Sequence, residues 1–528
     1  MKIKICLISI VIYFVSSSLV HSQDPLLPSW IVKTIYIDTD YSRDGNGSIS
    51  EPYSDIDFTF ESKTAYLFKR GTSIFKADQI RLDTDSAYVG SYGKGDVPKF
   101  LIDTGERNFF FVGIDNTVSN IEIVAQDTAA SAVLAFLGSK TDYLGQAWIE
   151  SVTVSHGFIG ITGYGFERIN IKGCHVFDLS HDGIFLENCD TAFFDNVHVH
   201  DINTDWSWTN DITLAGGDCI QSENVNSIFV LDCYLDHSAW GGKFSLITNG
   251  NDTTIVLNST LISTEGTSAA YISKAYFDGC RIVDGEYGIY DHMSGCRYYN
   301  CIFEDNRQSA IYGSAHQVYN CTFVNIPDIA CNGFQRNWDV RNSIFYNVKQ
   351  IFHADSKNIT ATHNLYYNEV GPEPEQQFGE GNFIFDPLFL DFYNGDYRLS
   401  SGSQAIDTGL VLNEVTHDFN GVLRPVGEGY DLGAYEYYEG SIPSPNISLY
   451  PVPADGYLEI SFLDDTFNGE LFLYLTTTLG QVLYKDYHSV KQNTIINLNI
   501  SQFPEGACFV FFKTANNPVH RETVLIDH

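Results

Sequence analysis

Basic residues are scarce: 30 lysines and arginines stand against 66 aspartates and glutamates in 528 residues, a net charge of −36. A field of that sign repels polyanions, which excludes nucleic acid and anionic membrane surfaces as partners. A polyanionic substrate would have to be held by local cations. Long apolar runs are equally scarce. Beyond Ile5 to Val20 no stretch is apolar enough to cross a bilayer, so no membrane span is expected. The eleven cysteines include no set with the paired spacing of a zinc site, and no helical stripe of apolar residues runs through the chain.

The first apolar run follows Met1-Lys2-Ile3-Lys4 and ends before His21-Ser22-Gln23, the pattern of a signal peptide over residues 1–22. The mature chain is therefore expected outside the cytoplasm. Its length exceeds one compact domain, yet no charged or low-complexity block divides it, which suits an elongated repeat with a small appendage.

The repeat is visible in short segments that begin with a small residue and continue with alternating apolar ones. They start at Ser151, Cys174, Val197, Cys233, Ser259, Cys280, Cys301, Cys321, Ser343 and Asn364. The spacing lies between 20 and 26 residues, except for 36 between Val197 and Cys233. Asn300-Cys301-Ile302-Phe303 and Asn320-Cys321-Thr322-Phe323 are nearly interchangeable. A turn residue followed by a short strand, at this period, predicts one solenoid coil per repeat: an all-β, right-handed parallel β-helix over residues 23–440. Equivalent positions then stack about 4.8 Å apart. The cysteines become a buried, unpaired internal ladder.

Two later regions carry motifs. Phe385-Asp386-Pro387-Leu388-Phe389, Gln404-Ala405-Ile406-Asp407-Thr408-Gly409 and Asp431-Leu432-Gly433-Ala434-Tyr435-Glu436 resemble the closing segment of secreted bacterial β-helix proteins. Tyr450-Pro451-Val452-Pro453-Ala454, Leu479-Gly480-Gln481-Val482-Leu483 and Phe503-Pro504-Glu505-Gly506-Ala507 resemble a type IX secretion C-terminal sorting domain. That resemblance implies a Gram-negative source, the type IX secretion machinery as partner, and a protein that is secreted or displayed on the cell surface. A linker at 441–449 would precede a small β-sandwich-like sorting domain at 450–528.

The 36-residue interval marks an insertion over about Asn203 to Ala215 that holds Trp206 and Trp208, with Trp240 in the next coil. Aromatic rings on loops of a rigid scaffold are natural platforms for sugars. Around the insertion, His181-Asp182-Gly183-Ile184, Gly217-Asp218-Cys219-Ile220 and Gly241-Gly242-Lys243-Phe244 are expected to stack in consecutive coils. Taking Ile184, Ile220 and Phe244 as inward places Lys243 outward with Gln221, Tyr290, His292 and Tyr312. Glu286 reaches the same corner from a later coil. Asp182, Asp218, Glu286 and Lys243 are the catalytic candidates. Trp206, Trp208, Trp240, His181, His237, Tyr290 and His292 are the substrate-binding ones. The Asp-Gly-Ile and Gly-Asp-Cys-Ile segments resemble two carboxylate motifs of the polygalacturonase family, whose aspartate doublet, Gly-His-Gly and Arg-Ile-Lys are absent. The resemblance implies a place for the site more than a specificity.

Glycoside hydrolysis needs one carboxylic acid and one carboxylate, and Asp218 with Asp182 or Glu286 would supply them. This points to a secreted endo-acting hydrolase of a polysaccharide substrate, an algal and sulfated polymer such as a fucan being the first guess by analogy with surface-exported β-helix enzymes. A lyase acting on alginate or another uronate polymer, with Lys243 as base, is the alternative. A non-catalytic glycan-binding adhesin is the third reading. The stretch from Asp38 to Gly47 reads either as a Ca2+ loop or as a plain acidic turn.

Overall fold

In the computed structural model the described residues run from 25 to 526, apart from 26, 44, 104, 106, 127–130, 139–143, 203–216, 238–243, 250–252, 265, 273, 292–294, 314–315, 334–336, 357, 369–378, 440–445, 453, 479–480 and 515–519. Thirty-five strands join in one continuous parallel arrangement that winds as three stacks. The first stack runs from Lys33–Ile37 to Ile359–Thr362 and the second from Ser73–Lys76 to Leu365–Tyr367. The third starts at Ile80–Asp83 and ends in the last part of Ile344–Phe352. Two long strands, Ile184–Asp195 and Ile220–Leu231, serve the third and first stacks in turn, bending at Asn188 and Asn224, both with φ 53°.

The corner between the first and second stacks explains the repeat signal. Asn258, Asn300, Asn320 and Asn342 occupy the left-handed region there, with φ between 50° and 54°. Asparagine tolerates this conformation because its short polar side chain can bond locally. The residue after each of these four corners turns inward and is small, Ser259, Cys301, Cys321 and Ser343. Cys174, Cys233, Cys280, Cys301 and Cys321 are all buried and free. Their carbonyls accept from the next coil: Ile302 N donates to Cys280 O and Thr322 N to Cys301 O, both at 2.9 Å. The ladder differs from expectation at one point. His175 N donates to Val152 O, so Val152 holds the inward position and Ser151, with φ 53°, is the corner. Farther inside, Phe303, Phe323, Phe345 and Tyr366 stack at 4.9, 4.7 and 5.4 Å between ring centres.

A closing segment after Asn382 returns along the outside of the coils. Arg424 is fully buried there. Its guanidinium bonds Glu436, the Asn300 side chain at 3.1 Å and the Gly433 carbonyl at 2.9 Å. Asn320 and Asn342 donate to the carbonyls of Asp431 and Leu410, so the same asparagines that shape the corners also pin this segment. The C-terminal region forms a three-stranded and a four-stranded antiparallel sheet around a shared core that includes Leu458, Leu473, Val510 and Phe512.

That region packs on the outer face of the first stack. Phe193, Phe229, Leu257, Tyr276, Tyr299 and Tyr319 form one apolar cluster with Leu412 and Val415 of the closing segment and Phe509, Phe511 and Leu525 of the tail. Tyr276 donates to the Thr478 carbonyl at 2.9 Å, and Arg521 bonds the Asn258 side chain. At the same junction His417 lies 3.2 Å from Asp278, and burial holds its imidazole down to about 4. No helix among the described residues is long and apolar enough to cross a membrane. In the Asp38 stretch the Asp38 carboxylate accepts from Lys69 Nζ at 2.6 Å and from the Asp40 amide at 3.1 Å, and Asp44 lies outside the described residues.

Candidate functional site

The outer face of the third stack carries an aligned row of side chains. Register pairs Phe110, Ala135, Thr162, Phe185, Gln221, Ile247, Tyr271, Tyr290 and Tyr312 in successive coils. The strand period of two turns every member of this row outward, because the alternate row, Ile184, Ile220 and Leu246, fills the core. The last three members make a stripe: Tyr271 stacks on Tyr290 at 5.4 Å and Tyr290 on Tyr312 at 4.8 Å. Phe244 and Tyr287 flank it, 5.4 Å from Tyr271 and 5.7 Å from Tyr290. All five rings are half-buried, with part of each surface open.

Register also corrects the sequence reading of this corner. Ile220 pairs with Leu246 and not with Phe244, which falls beside Asp218 at the start of its strand, half-buried and with its ring against Tyr271, while Leu246 fills the core. Asp182 and Asp218 do stack as expected, but both are only 2% exposed. Asp182 Oδ1 accepts the Asp218 amide at 2.9 Å, and Asp218 Oδ1 accepts the Phe244 amide at 2.8 Å. Each carboxylate thus fixes the start of the next coil's strand. Beside them, His181 Nδ1 lies 3.0 Å from Asp182 Oδ2, and its ring packs on Phe158 at 4.6 Å. His237, expected to face substrate, is 1% exposed and Nε2 donates to the Gly217 carbonyl at 2.6 Å, so it braces the backbone. Glu286 is half-buried next to Tyr287 at the same corner, three coils past Asp218. Lys243, Trp206, Trp208, Trp240 and His292 lie outside the described residues.

A second carboxylate pair stands on the same outer face. Glu187 and Glu223 are register partners in consecutive coils, about one inter-strand spacing apart at the backbone. Glu187 Oε1 accepts from the Asn188 amide at 2.9 Å and Glu223 Oε1 from Gln221 at 3.0 Å. Both are half-buried, so they combine fixed orientation with access. Glu187 lines a cleft of about 310 Å³ with Phe158, Thr162, Tyr164, Phe185 and Arg107. Arg107 is the one cation among the described lining residues, held over the Phe110 ring at 5.0 Å. The signal for the pair was in the sequence: Ile184-Phe185-Leu186-Glu187-Asn188 and Ile220-Gln221-Ser222-Glu223-Asn224 share Ile, Glu and Asn at equivalent positions.

On the second stack's outer face, His175, His198 and His200 bring three ring nitrogens within 4.8 Å of one another. Burial and the neighbouring imidazoles push His175 down and His198 to about 4. This group was missed because its members sit in two coils. The alternation His198-Val199-His200, with His175 one repeat earlier, is the signal that could have found it.

Comparison with known proteins divides the chain in two. Residues 159–323 match the right-handed β-helix region family, and residues 448–527 match the secretion system C-terminal sorting domain. Among curated proteins, none matches the sequence. Two solved structures are similar at 10% identity: tailspike protein 2 of the Escherichia coli bacteriophage CAB120 (TM-score 0.31, 87% of this chain) and a tailspike of the Acinetobacter baumannii bacteriophage Fri1, a capsular polysaccharide depolymerase (TM-score 0.23, 87% of this chain, 77% of that one). The chain spans 64% of the length of the first. The coils, the family match and the sorting domain together identify a secreted parallel β-helix protein, exported by type IX secretion to the cell surface or the medium.

Proposed function

We propose that this protein binds and cleaves an extended polysaccharide along the outer face of the third stack. The observation that carries the reading is the open tyrosine stripe in line with two accessible carboxylates. Stacked rings at strand spacing offer successive sugar faces a continuous apolar platform, with about 0.5–1.5 kcal/mol from each well-placed ring pair. The other outer faces are covered over part of their length. The tail covers much of the first stack, and the closing segment covers the later coils of the second through Phe389, Phe392 and Tyr397.

Glu187 and Glu223 take the two carboxylate roles of glycoside hydrolysis in this proposal, one protonating the leaving oxygen and the other attacking the sugar or activating water. Asp182 and Asp218 stand behind them as positioning residues that fix the strand starts. Arg107 gives the cleft a local cation against a strongly acidic protein, which favours a polymer bearing anionic groups. A sulfated algal fucan is the first substrate to test.

The test is a panel of algal polysaccharides assayed for reducing ends and for the absorbance of unsaturated products. Hydrolysis predicts new ends without absorbance. Ends together with absorbance would replace the paired-carboxylate mechanism with elimination. No cleavage of any polymer, with binding retained, would leave a glycan-binding surface protein and overturn the enzymatic reading.

A further inference from the structure

We propose that His175, His198 and His200 form a binding site for one transition-metal ion, zinc by the chemistry of the donors. The backbone builds the site. His175 and His198 are direct register partners in adjacent coils, and His200 follows His198 by two residues, so all three imidazoles leave the same side of the second stack. Their ring centres lie 5.0, 4.9 and 4.6 Å apart. His175 Nε2 and His200 Nε2 approach to 2.7 Å. Tetrahedral zinc with bonds of about 2.0–2.1 Å separates its ligand nitrogens by roughly 3.3 Å, so a small rotation of the rings admits the ion.

A second observation points to a metal. Asp201 Oδ2 accepts from His200 Nδ1 at 2.8 Å. That bond fixes the tautomer, so His200 Nε2 turns its lone pair into the cluster. A carboxylate orienting the far nitrogen of an imidazole is the recurrent outer shell of histidine metal ligands. Phe177 stacks on His200 at 5.4 Å and Tyr234 meets His198 edge-on at 4.8 Å, which restrains the rings from two sides. His198 is exposed while His175 and His200 are half-buried, so an ion has a path in. Three neutral nitrogens with a fourth position toward solvent suit zinc and disfavour calcium or magnesium, which take oxygen. The site lies on a different stack from the tyrosine stripe and does not depend on the polysaccharide reading.

The test uses the full-length secreted chain without a purification tag, stripped with chelator and titrated with zinc by calorimetry, then with cobalt for its visible spectrum. One equivalent of zinc and an intense tetrahedral-type cobalt band are expected. The exposed-side variant His198→Ala should lose both, with the circular dichroism spectrum unchanged. Asp201→Asn should weaken zinc binding about 10- to 100-fold while keeping the stoichiometry. No zinc binding by the unaltered chain, or one equivalent retained by the combined His198→Ala and His200→Ala variant, would overturn the assignment.

Discussion

Two tyrosine rows run along this solenoid and differ in what lies over them. On the first stack, Tyr299 and Tyr319 stack at 5.2 Å, much as Tyr290 and Tyr312 do at 4.8 Å on the third. Yet Tyr299 is 1% exposed and Tyr319 3%, and their hydroxyls donate to Gln317 and Asp339 beneath the closing segment and tail. The third-stack rings keep an open face. Stacked aromatics are thus no sign of a binding site in themselves, because the coil geometry stacks any residue type placed at a repeated position. Whether the chain covers the row decides its use.

The largest effect that would sharpen this contrast is expected at the open face. Glu223→Gln keeps the side chain's shape but cannot exchange a proton, so turnover should fall about 10²- to 10⁴-fold with no change in melting temperature. Asp218→Asn keeps an oxygen for the Phe244 amide and should retain most activity. The reverse ranking would return catalysis to the buried aspartates. On the covered side, Arg424→Met leaves Glu436 as an unpaired buried charge. It should cost about 3–5 kcal/mol in denaturant unfolding while leaving turnover per folded molecule intact. A smaller effect belongs to single rings: Tyr290→Ala should weaken polymer binding by about 0.5–1.5 kcal/mol in affinity electrophoresis. Tyr299→Phe, beneath the closing segment, should leave binding unchanged.

The solenoid was legible because one corner dominates the sequence. A left-handed residue followed by an inward one recurs from coil to coil, and where the inward one is small it leaves Asn-Cys or Asn-Ser in print. The sorting domain was legible from its motifs. The third-stack register was not, because Phe244 and Leu246 are both apolar and of the same strand parity, so the sequence offers no motif to choose which of them pairs with Ile220. Burial of Asp182 and Asp218 was likewise hidden, since an aspartate before glycine or cysteine reads the same whether it caps an amide or faces a substrate. Covering of the first stack depends on contacts between residues more than two hundred positions apart, such as Tyr276 with Thr478, which no local pattern reports. Glu187 and Glu223 were legible in the Ile-x-x-Glu-Asn shared by their two coils, but the tryptophans of the neighbouring insertion give the stronger local signal.

The most direct test of the open-face account is a tyrosine footprint. The Glu223→Gln chain, saturated with a cleavable polymer it can no longer turn over, is exposed to a tyrosine-nitrating reagent and mapped by peptide mass. The account predicts that Tyr271, Tyr290 and Tyr312 react in the free protein and are protected by polymer. Tyr276, Tyr299 and Tyr319 should stay unreactive in both states. Equal labelling of Tyr290 and Tyr312 with and without bound polymer would contradict it.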